Sequence, residues 1–326
     1  MKQVAQRLKW IGKQVAVQWF VTARCNFNCS YCSDWDDGNT TFEYYHDNKS
    51  KHPDYLQLVT AVNKLVDGVG NNIEWGFVGG EPMVMPDFHD IVKYIRSTQP
   101  NDIAVATNGT LPLKKMSEIY KDLDGMIISL HFEHIQHRID EYIEKIIALE
   151  EQRRDDQMLT ARFMVYPGKL DLVEKMYKEF ALAGVDRIEF RSIQPHPGIN
   201  WYYTEEESKK INEWYNQFEK QKKNIVRYWD DGTETEDMFT QIVHNQEHTY
   251  KDWKCWAGVE QLRIDPKGRV SRCAPAVGGY LGNIFTDKID FPKEPVICTQ
   301  HDCKDYCDLR VTKYLPEHEH RVQEFI

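Results

Sequence analysis

The eight cysteines of this 326-residue chain fall into two groups. No cysteine lies between residues 32 and 255, whereas cysteines used only for packing are normally scattered. Clustering therefore indicates metal ligation, because thiolates are the preferred ligands of zinc and of iron–sulfur clusters. The first group is Cys25, Cys29 and Cys32, and the second is Cys255, Cys273, Cys298, Cys303 and Cys307.

The first group supplies three thiolates within eight residues, with the spacing CxxxCxxC. A structural zinc site needs four ligands, and no histidine follows within a short loop, since the next is His46. Three thiolates can instead hold three irons of a cubane [4Fe-4S] cluster, which leaves the fourth iron free for a small molecule. This open position indicates chemistry, with structural zinc as the alternative.

A second candidate motif is Gly79-Gly80-Glu81, which follows an apolar run and precedes a proline. Two glycines let the backbone approach a ligand closely. The carboxylate that follows can accept hydrogen bonds from an ammonium group. An ordinary glycine turn is the alternative, and the spacing is not the GxGxxG pattern of dinucleotide-binding folds.

Composition limits the classes of function. Apolar residues make up 41% and aromatic residues 12%, so the chain is expected to fold. The net charge of −10 argues against a general affinity for nucleic acid or an anionic membrane surface. No stretch approaches the ~20 apolar residues of a membrane span, and the N-terminus lacks an export signal. We therefore expect a cytoplasmic protein with reduced cysteines.

The elements that must position these residues alternate in type. Six strand-like runs are separated by helical segments, which predicts a parallel sheet with right-handed crossovers and chemistry at the carboxyl ends of its strands. The strands are predicted at 15–22, 73–78, 102–107, 125–131, 159–166 and 186–193. The helices are predicted at 53–67, 87–98, 112–122, 134–153 and 170–182.

The CxxxCxxC motif, with Tyr31 before its last cysteine, together with Gly79-Gly80-Glu81, resembles the radical S-adenosylmethionine (SAM) superfamily. The resemblance implies a partial (β/α)6 barrel in which the cysteine trio, Cys25, Cys29 and Cys32, binds a [4Fe-4S] cluster. In that family the free iron chelates the amino and carboxylate groups of SAM. The reduced cluster then cleaves SAM to a 5′-deoxyadenosyl radical. It also implies an electron donor such as flavodoxin or ferredoxin.

The same resemblance implies roles for further polar residues at strand ends. Thr107 and Asn108 would lie near SAM, Ser129 would contact its ribose or carboxylate, and Arg162 would clamp the carboxylate. Tyr31 would border the adenine, and Gly79, Gly80 and Glu81 would hold the amino group. Hydrogen-bonded scaffold is the alternative for Ser129 and Arg162.

Three histidines follow the fourth barrel strand, at residues 131, 134 and 137. Their spacing places them on one side of a helix, where a second metal could be imagined. The acidic neighbours Glu133 and Asp140 favour a solvated segment instead. His131 alone, at the strand end, is a candidate to face the substrate.

The second cysteine group begins at a predicted hairpin, in which strands flank the turn Pro266-Lys267-Gly268 between Cys255 and Cys273. The spacing resembles the opening of SPASM/Twitch extensions, which carry auxiliary [4Fe-4S] clusters. We expect a Twitch-like domain with one auxiliary cluster, with Cys255, Cys273 and Cys307 as preferred ligands. Cys298 and Cys303 compete for the fourth place, and a zinc ribbon is the alternative.

The predicted organisation is a barrel over residues 1–200, a helical and acidic bridge over 201–250, and the Twitch-like domain over 251–326. The bridge contains a predicted helix at 204–221 and a predicted acidic surface loop at 230–237.

Three functions remain open from the sequence. The first is oxidation or epimerisation of a small metabolite such as a sugar, and it is slightly favoured because only about fourteen residues precede the first predicted strand. The second is modification or crosslinking of a ribosomal peptide or protein. The third is a non-enzymatic iron–sulfur or zinc protein. No residue stands out as a general acid or base.

Overall fold

A computed structural model describes residues 1–9, 14–32, 51–99, 102–185, 187–193, 202–217, 223–303 and 305–325. The strands are β1 (Gln3–Leu8), β2 (Val15–Phe20), β3 (Ile73–Val78), β4 (Asp102–Thr107), β5 (Gly125–Leu130), β6 (Met158–Val165), β7 (Ile188–Ser192), β8 (Ile225–Trp229), β9 (Glu234–Asp237), β10 (Lys254–Cys255), β11 (Gln261–Ile264), β12 (Arg269–Ser271), β13 (Tyr280–Asn283), β14 (Val296–Ile297) and β15 (Lys313–Tyr314). The α-helices are α1 (Tyr55–Val69), α2 (Phe88–Thr98), α3 (Leu113–Tyr120), α4 (Phe132–Ile135), α5 (Ile139–Glu150), α6 (Leu170–Leu182), α7 (Glu205–Gln217) and α8 (Phe239–His244).

Strands β2 to β7 form the predicted parallel sheet in chain order, and every connection between them contains at least one helix, from α1 between β2 and β3 to α6 between β6 and β7. All six predicted strands and all five predicted helices are present within a few residues of their expected bounds. The helix predicted at 134–153 is divided into α4 and α5. The fold class is therefore confirmed as α/β with a partial barrel.

Alternating burial explains how β3 is held. Ile73, Trp75 and Phe77 are completely buried, whereas the residues between them point to the other face of the sheet. The rings of Trp75 and Phe77 stack at 6.2 Å between centroids. This apolar layer fixes the register of the strand and so places the Gly79-Gly80-Glu81 motif at its carboxyl end.

The predicted C-terminal hairpin is also present. Strands β11 and β12 pair antiparallel, and β11 pairs parallel with β2, with Gln261 opposite Ala16. The hairpin therefore continues the barrel sheet, and β13 extends it at the edge. The structure thus joins part of the predicted C-terminal domain directly to the first barrel strand.

A second sheet has the order β14-β10-β15-β1-β8-β9. Its strand β1 comes from the N-terminus and pairs antiparallel with both β8 and β15. The sequence missed β1, and this sheet crosses all three predicted segments. The 201–250 region does contain the expected helix, now α7, but the expected acidic loop is a hairpin, since Glu234–Asp237 pairs with β8.

Residues 305–310 run against the interior face of the barrel. Arg310 donates two hydrogen bonds to Glu74 of β3, at 2.8 and 2.7 Å. Tyr306 donates to the carbonyl oxygen of Ser192 on β7 at 3.2 Å. The C-terminal segment therefore bridges the barrel and supplies one wall of the cavity described below. Among the described residues, no helix combines the length and apolarity needed to cross a membrane.

Candidate active site and second cysteine cluster

A cavity of about 320 Å³ opens at the carboxyl ends of the barrel strands. This is where parallel α/β folds place their ligands. Of the barrel residues predicted to bind the cluster or SAM, all but Glu81 line the cavity. They are Cys25, Cys29, Tyr31, Cys32, Gly79, Gly80, Thr107, Asn108, Ser129 and Arg162.

The two glycines of the motif permit contact between two loops. A Cβ atom at Gly80 would overlap the carbonyl group of Arg24, and one at Gly79, where φ is +149°, would lie 2.5 Å from the oxygen of Thr22. The amide of Gly80 donates a hydrogen bond to the carbonyl oxygen of Thr22 at 2.8 Å. In this structure the glycines let β3 approach the chain that leads into the cysteine loop, in addition to lining the cavity.

Glu81 is buried beside the cavity and accepts three hydrogen bonds. Its donors are the amide of Met83 at 3.0 Å, the hydroxyl of Thr107 at 2.8 Å and the amide of Asn108 at 2.5 Å. Burial raises the pKa of Glu81 to about 7, against the opposing effect of these bonds. Glu81 thus braces the ends of β3 and β4, and its contact with the SAM amino group stays a prediction.

Without a bound metal, the surroundings of Cys25 and Cys29 favour the protonated thiols. Burial raises the pKa of Cys25, and it raises that of Cys29 to about 12. The charges acting on them, Glu81 on Cys25 and Glu133 on Cys29, also raise these pKa values. A positively charged iron core would reverse this effect, because a coordinated thiol is deprotonated.

The donor set fits a cluster with one open position. All three thiols of the first group line the cavity. A structural zinc ion needs a fourth protein ligand. Three thiolates can hold three irons of a cubane and leave the fourth iron open.

Cys29 has a second set of neighbours, Glu133 and His134, whose ligand atoms lie within 4.8 Å of it and of each other. Glu133 accepts a hydrogen bond from the amide of Ser30 at 2.7 Å, and His134 stacks on Phe27 with centroids 4.3 Å apart. Because these contacts already occupy both side chains and neither lines the cavity, they are a packing feature of the cysteine loop.

His131 does line the cavity, as the sequence suggested. Its Nδ1 lies 3.4 Å from the sulfur of Cys29 and forms a short hydrogen bond with the hydroxyl of Tyr31. The ring planes of Tyr31 and His131 are 13° apart. His131 therefore supports the cysteine loop and leaves less of its edge for a substrate.

Arg162 and Ser129 lie opposite each other on β6 and β5 and both line the cavity. The Nε and Nη2 atoms of Arg162 donate to Glu189 on β7 at 2.8 and 3.1 Å. This bidentate pair occupies one edge of the guanidinium, so the N–H groups of Nη1 and the second N–H of Nη2 are left for another group. The predicted carboxylate clamp by Arg162 remains a prediction with that restriction.

The structure groups the C-terminal cysteines differently from the ligand set that the sequence favoured. Four thiols surround a small enclosed space of about 20 Å³, namely Cys255, Cys273, Cys298 and Cys303. Cys307 does not line that space, and its sulfur instead accepts a hydrogen bond from Gln18 of β2 at 3.1 Å. The structure therefore groups Cys298 and Cys303 with Cys255 and Cys273, away from the preferred Cys307, and which four cysteines bind a cluster stays a prediction.

The four grouped thiols also suit a cluster. Among the described residues, no three of their sulfurs lie within 4.8 Å of one another, which is wider than a zinc tetrahedron. Burial raises the pKa of Cys255 to about 11. The buried ammonium of Lys313 opposes that shift at Cys255 and at Cys303, and it lines the same space.

The residues of the cavity wall that the sequence analysis did not single out include Arg191, Asp305 and Tyr306. Arg191 is the penultimate residue of the sixth barrel strand, so the rule that placed polar residues at strand ends applied to it as well. Asp305 and Tyr306 come from the C-terminal segment, and no local pattern indicates that this segment enters the barrel.

Comparison with known proteins agrees with this geometry. The sequence profile of the Radical SAM superfamily matches residues 19–158, which contain the cysteine trio and the glycine motif. A probable GTP 3',8-cyclase of Methanococcus maripaludis is 28% identical over 127 residues, covering 36% of this chain and 37% of the relative. The GTP 3',8-cyclase of Nautilia profundicola is 34% identical over 104 residues, covering 31% and 30%. The chain thus matches about a third of the length of these curated relatives.

Solved structures share the fold. Streptococcus suis SuiB bound to S-adenosylmethionine has a TM-score of 0.58 at 14% identity, covering 84% of this chain and 64% of that one. The structure of anSMEcpe with bound AdoMet and the Kp18Cys peptide has a TM-score of 0.57 at 15% identity, covering 84% and 79%.

Proposed function

We propose that the chain is a radical SAM enzyme whose reaction begins with the reductive cleavage of SAM, and the match of the Radical SAM superfamily profile to residues 19–158 supports this. The cysteine trio would hold a [4Fe-4S] cluster, and SAM would bind its open iron. When bound, the cluster and SAM supply a 5′-deoxyadenosyl radical that abstracts a hydrogen atom from the substrate. An electron donor such as flavodoxin or ferredoxin would reduce the cluster.

The observation that carries this proposal is the shared cavity. Three thiols, without a fourth cysteine beside them among the described residues, line the same cavity as the carboxyl ends of the barrel strands. An iron site with only three protein ligands has a position for an exogenous one. The amino and carboxylate groups of SAM suit that position.

The chain's own residues would bind and orient SAM. Asn108 lies between the motif and the cluster loop, since its Nδ2 donates to Asn26 at 2.8 Å and approaches the sulfur of Cys25 at 3.8 Å. Ser129 lies opposite Arg162 in the register of β5 and β6 and would offer its hydroxyl to ribose or carboxylate. Tyr31 offers a buried aromatic face to adenine.

We further propose one auxiliary [4Fe-4S] cluster held by Cys255, Cys273, Cys298 and Cys303. The supporting observation is the enclosed space that these four thiols surround together with the buried ammonium of Lys313. Four thiolates close the coordination of a cubane. Such a cluster could take back one electron from the product radical, which would make the net reaction an oxidation.

The substrate proposed first is a small metabolite such as a sugar, which would undergo oxidation or epimerisation. The cavity of about 320 Å³ is within the range of small-molecule sites. A second candidate is modification of a peptide or protein, favoured by the likeness to anSMEcpe, whose structure holds the Kp18Cys peptide. A nucleotide is a third class, because the matched relatives are named as GTP 3',8-cyclases.

The test is anaerobic reconstitution with iron and sulfide, reduction with dithionite, and measurement of 5′-deoxyadenosine formed from SAM. The proposal predicts formation by the wild-type protein and none by Cys29→Ala. A wild-type protein that contains iron but forms no 5′-deoxyadenosine would contradict it. Adding separately the small-molecule and peptide fractions of a cell extract would then distinguish the substrate classes by which one accelerates the reaction.

A further inference from the structure

One cation of the cavity wall forms no ion pair. Arg162, which lines the cavity, is paired with Glu189. Asp305, which also lines it, is paired with Arg263. Arg191 lies within 4.0 Å of no carboxylate among the described residues, although the charges of Glu189 and Asp305 act on it from farther away.

Arg191 is nevertheless held in place. The carbon centre of its guanidinium lies 3.7 Å from the centroid of the Tyr306 ring, a stacked cation–π contact. Tyr306 is itself fixed, because its hydroxyl donates to the main chain of Ser192, the residue after Arg191. The stack constrains one face of the guanidinium and so fixes its position in the cavity wall.

A guanidinium is complementary to a planar or tetrahedral oxyanion, to which it can donate two parallel hydrogen bonds. Burying a guanidinium without an ion pair is costly, and a bound anion reduces the cost. Arg191 is the penultimate residue of β7, the last barrel strand, whereas the cysteine trio follows β2, the first. This cation is thus carried by the strand at the other end of the barrel from the cluster loop.

We propose that Arg191, held against Tyr306, binds a carboxylate or phosphate group of the substrate. This inference rests on the proposed function of the cavity and adds to it that the substrate is anionic. The group would anchor the substrate at β7 and so direct the remainder of the molecule towards the cluster loop.

The experiment uses the reconstituted holoenzyme with SAM bound and two probes, inorganic phosphate and acetate, each titrated separately by calorimetry. We expect the wild-type protein to bind at least one of them. Arg191→Gln should weaken that binding by about tenfold or more, because a charge-assisted contact is lost. Arg191→Lys should retain part of the binding, since lysine keeps the positive charge but cannot donate two parallel hydrogen bonds. The better-bound probe identifies the group as phosphate or carboxylate.

Arg7→Gln is the matched control. The guanidinium of Arg7 stacks on Phe325 at the same 3.7 Å, but Arg7 does not line the cavity. It should leave anion binding unchanged, and neither variant should change the dissociation constant for SAM by more than about twofold.

Three results would overturn the inference: no binding of either anion by the wild type, equal binding by Arg191→Gln, or a loss of SAM affinity in Arg191→Gln. The last would assign Arg191 to the carboxylate of SAM. Formation of 5′-deoxyadenosine is measured on the same samples, so a failure of the proposed reaction is recorded independently of anion binding.

Discussion

The two cysteine groups of this chain differ in the number of thiols and in the space beside them. The N-terminal trio adjoins a cavity of about 320 Å³, whereas the four C-terminal thiols surround about 20 Å³. Three ligands beside a large cavity leave iron accessible to a small molecule, and four ligands around an enclosed space do not. Under the proposed function, the first group would support bond-breaking chemistry and the second would store an electron or serve a structural role.

The groups also differ in the charges that act on them. In the C-terminal group, burial raises the pKa of Cys255 and Cys303, and the charge of Lys313 opposes this rise while that of Asp308 adds to it. In the N-terminal group, Glu81 and Glu133 raise the pKa values of Cys25 and Cys29. The N-terminal site must therefore obtain its positive charge from what it binds, which suits iron and the cationic groups of SAM.

The largest predicted effect is the separation of the two sites by Cys29→Ala. This variant should form no 5′-deoxyadenosine, because the first cluster loses one of its three protein ligands. It should keep about four of the about eight iron atoms expected for two cubanes. Iron analysis and product chromatography measure both quantities, and a variant that keeps all its iron would refute the assignment.

The second prediction compares Cys303→Ser with Cys307→Ser. The first should lose the auxiliary cluster and so about half of the iron. The second should retain it, because Cys307 bonds Gln18 rather than facing the enclosed space. Iron content per chain decides between them, and the opposite pattern would restore Cys307 as a ligand.

A smaller effect is expected from Gly80→Ala, whose new methyl group would overlap the carbonyl of Arg24. We expect destabilisation by about 3 kcal/mol and poor incorporation of the first cluster, because the overlap involves backbone. In Gly76→Ala, within the preceding strand β3, the Cβ would lie 3.6 Å from the carbonyl oxygen of Val17, an ordinary contact.

Gly76→Ala should therefore change the free energy of unfolding by less than about 1 kcal/mol. Denaturant unfolding and iron content of the two variants test this, and equal effects would show that the approach of the two loops is not what the glycines provide.

The smallest effect concerns pH. Since burial raises the pKa of Glu81 from 4.5 to about 7, its protonated form stabilises the fold below about pH 4.5, and this contribution is lost as pH rises through 7. The unfolding free energy of the cluster-free wild type should fall relative to that of Glu81→Gln between pH 5 and pH 8, by no more than about 3 kcal/mol. Parallel pH profiles would show that the carboxyl group is not buried as described.

The barrel and its motifs were predictable because they depend on local patterns. Alternating burial in β3 and the apolar periodicity of the helices can each be recognised within one short segment of sequence. The cysteine trio and the glycine motif come directly after predicted strands, which placed them at the carboxyl ends of the barrel. The pairing of β1 with β8 and β15 was not predictable, because it joins residues more than 200 positions apart.

The same limit applied to the sites. The grouping of Cys255 with Cys303 rather than Cys307 depends on which way a non-repetitive segment turns, and spacing alone left the alternatives open. The bracing role of Glu81 and the pairing of Arg162 with Glu189 were missed because they depend on neighbouring strands.

The most direct test of the central claim is the electron paramagnetic resonance spectrum of the reduced Cys303→Ser protein, in which the N-terminal cluster is observed alone. Addition of SAM should change that spectrum, because SAM binds the iron that lacks a protein ligand. A spectrum unaffected by SAM, or X-ray absorption showing tetrahedral zinc bound to Cys25, Cys29 and Cys32, would contradict the account.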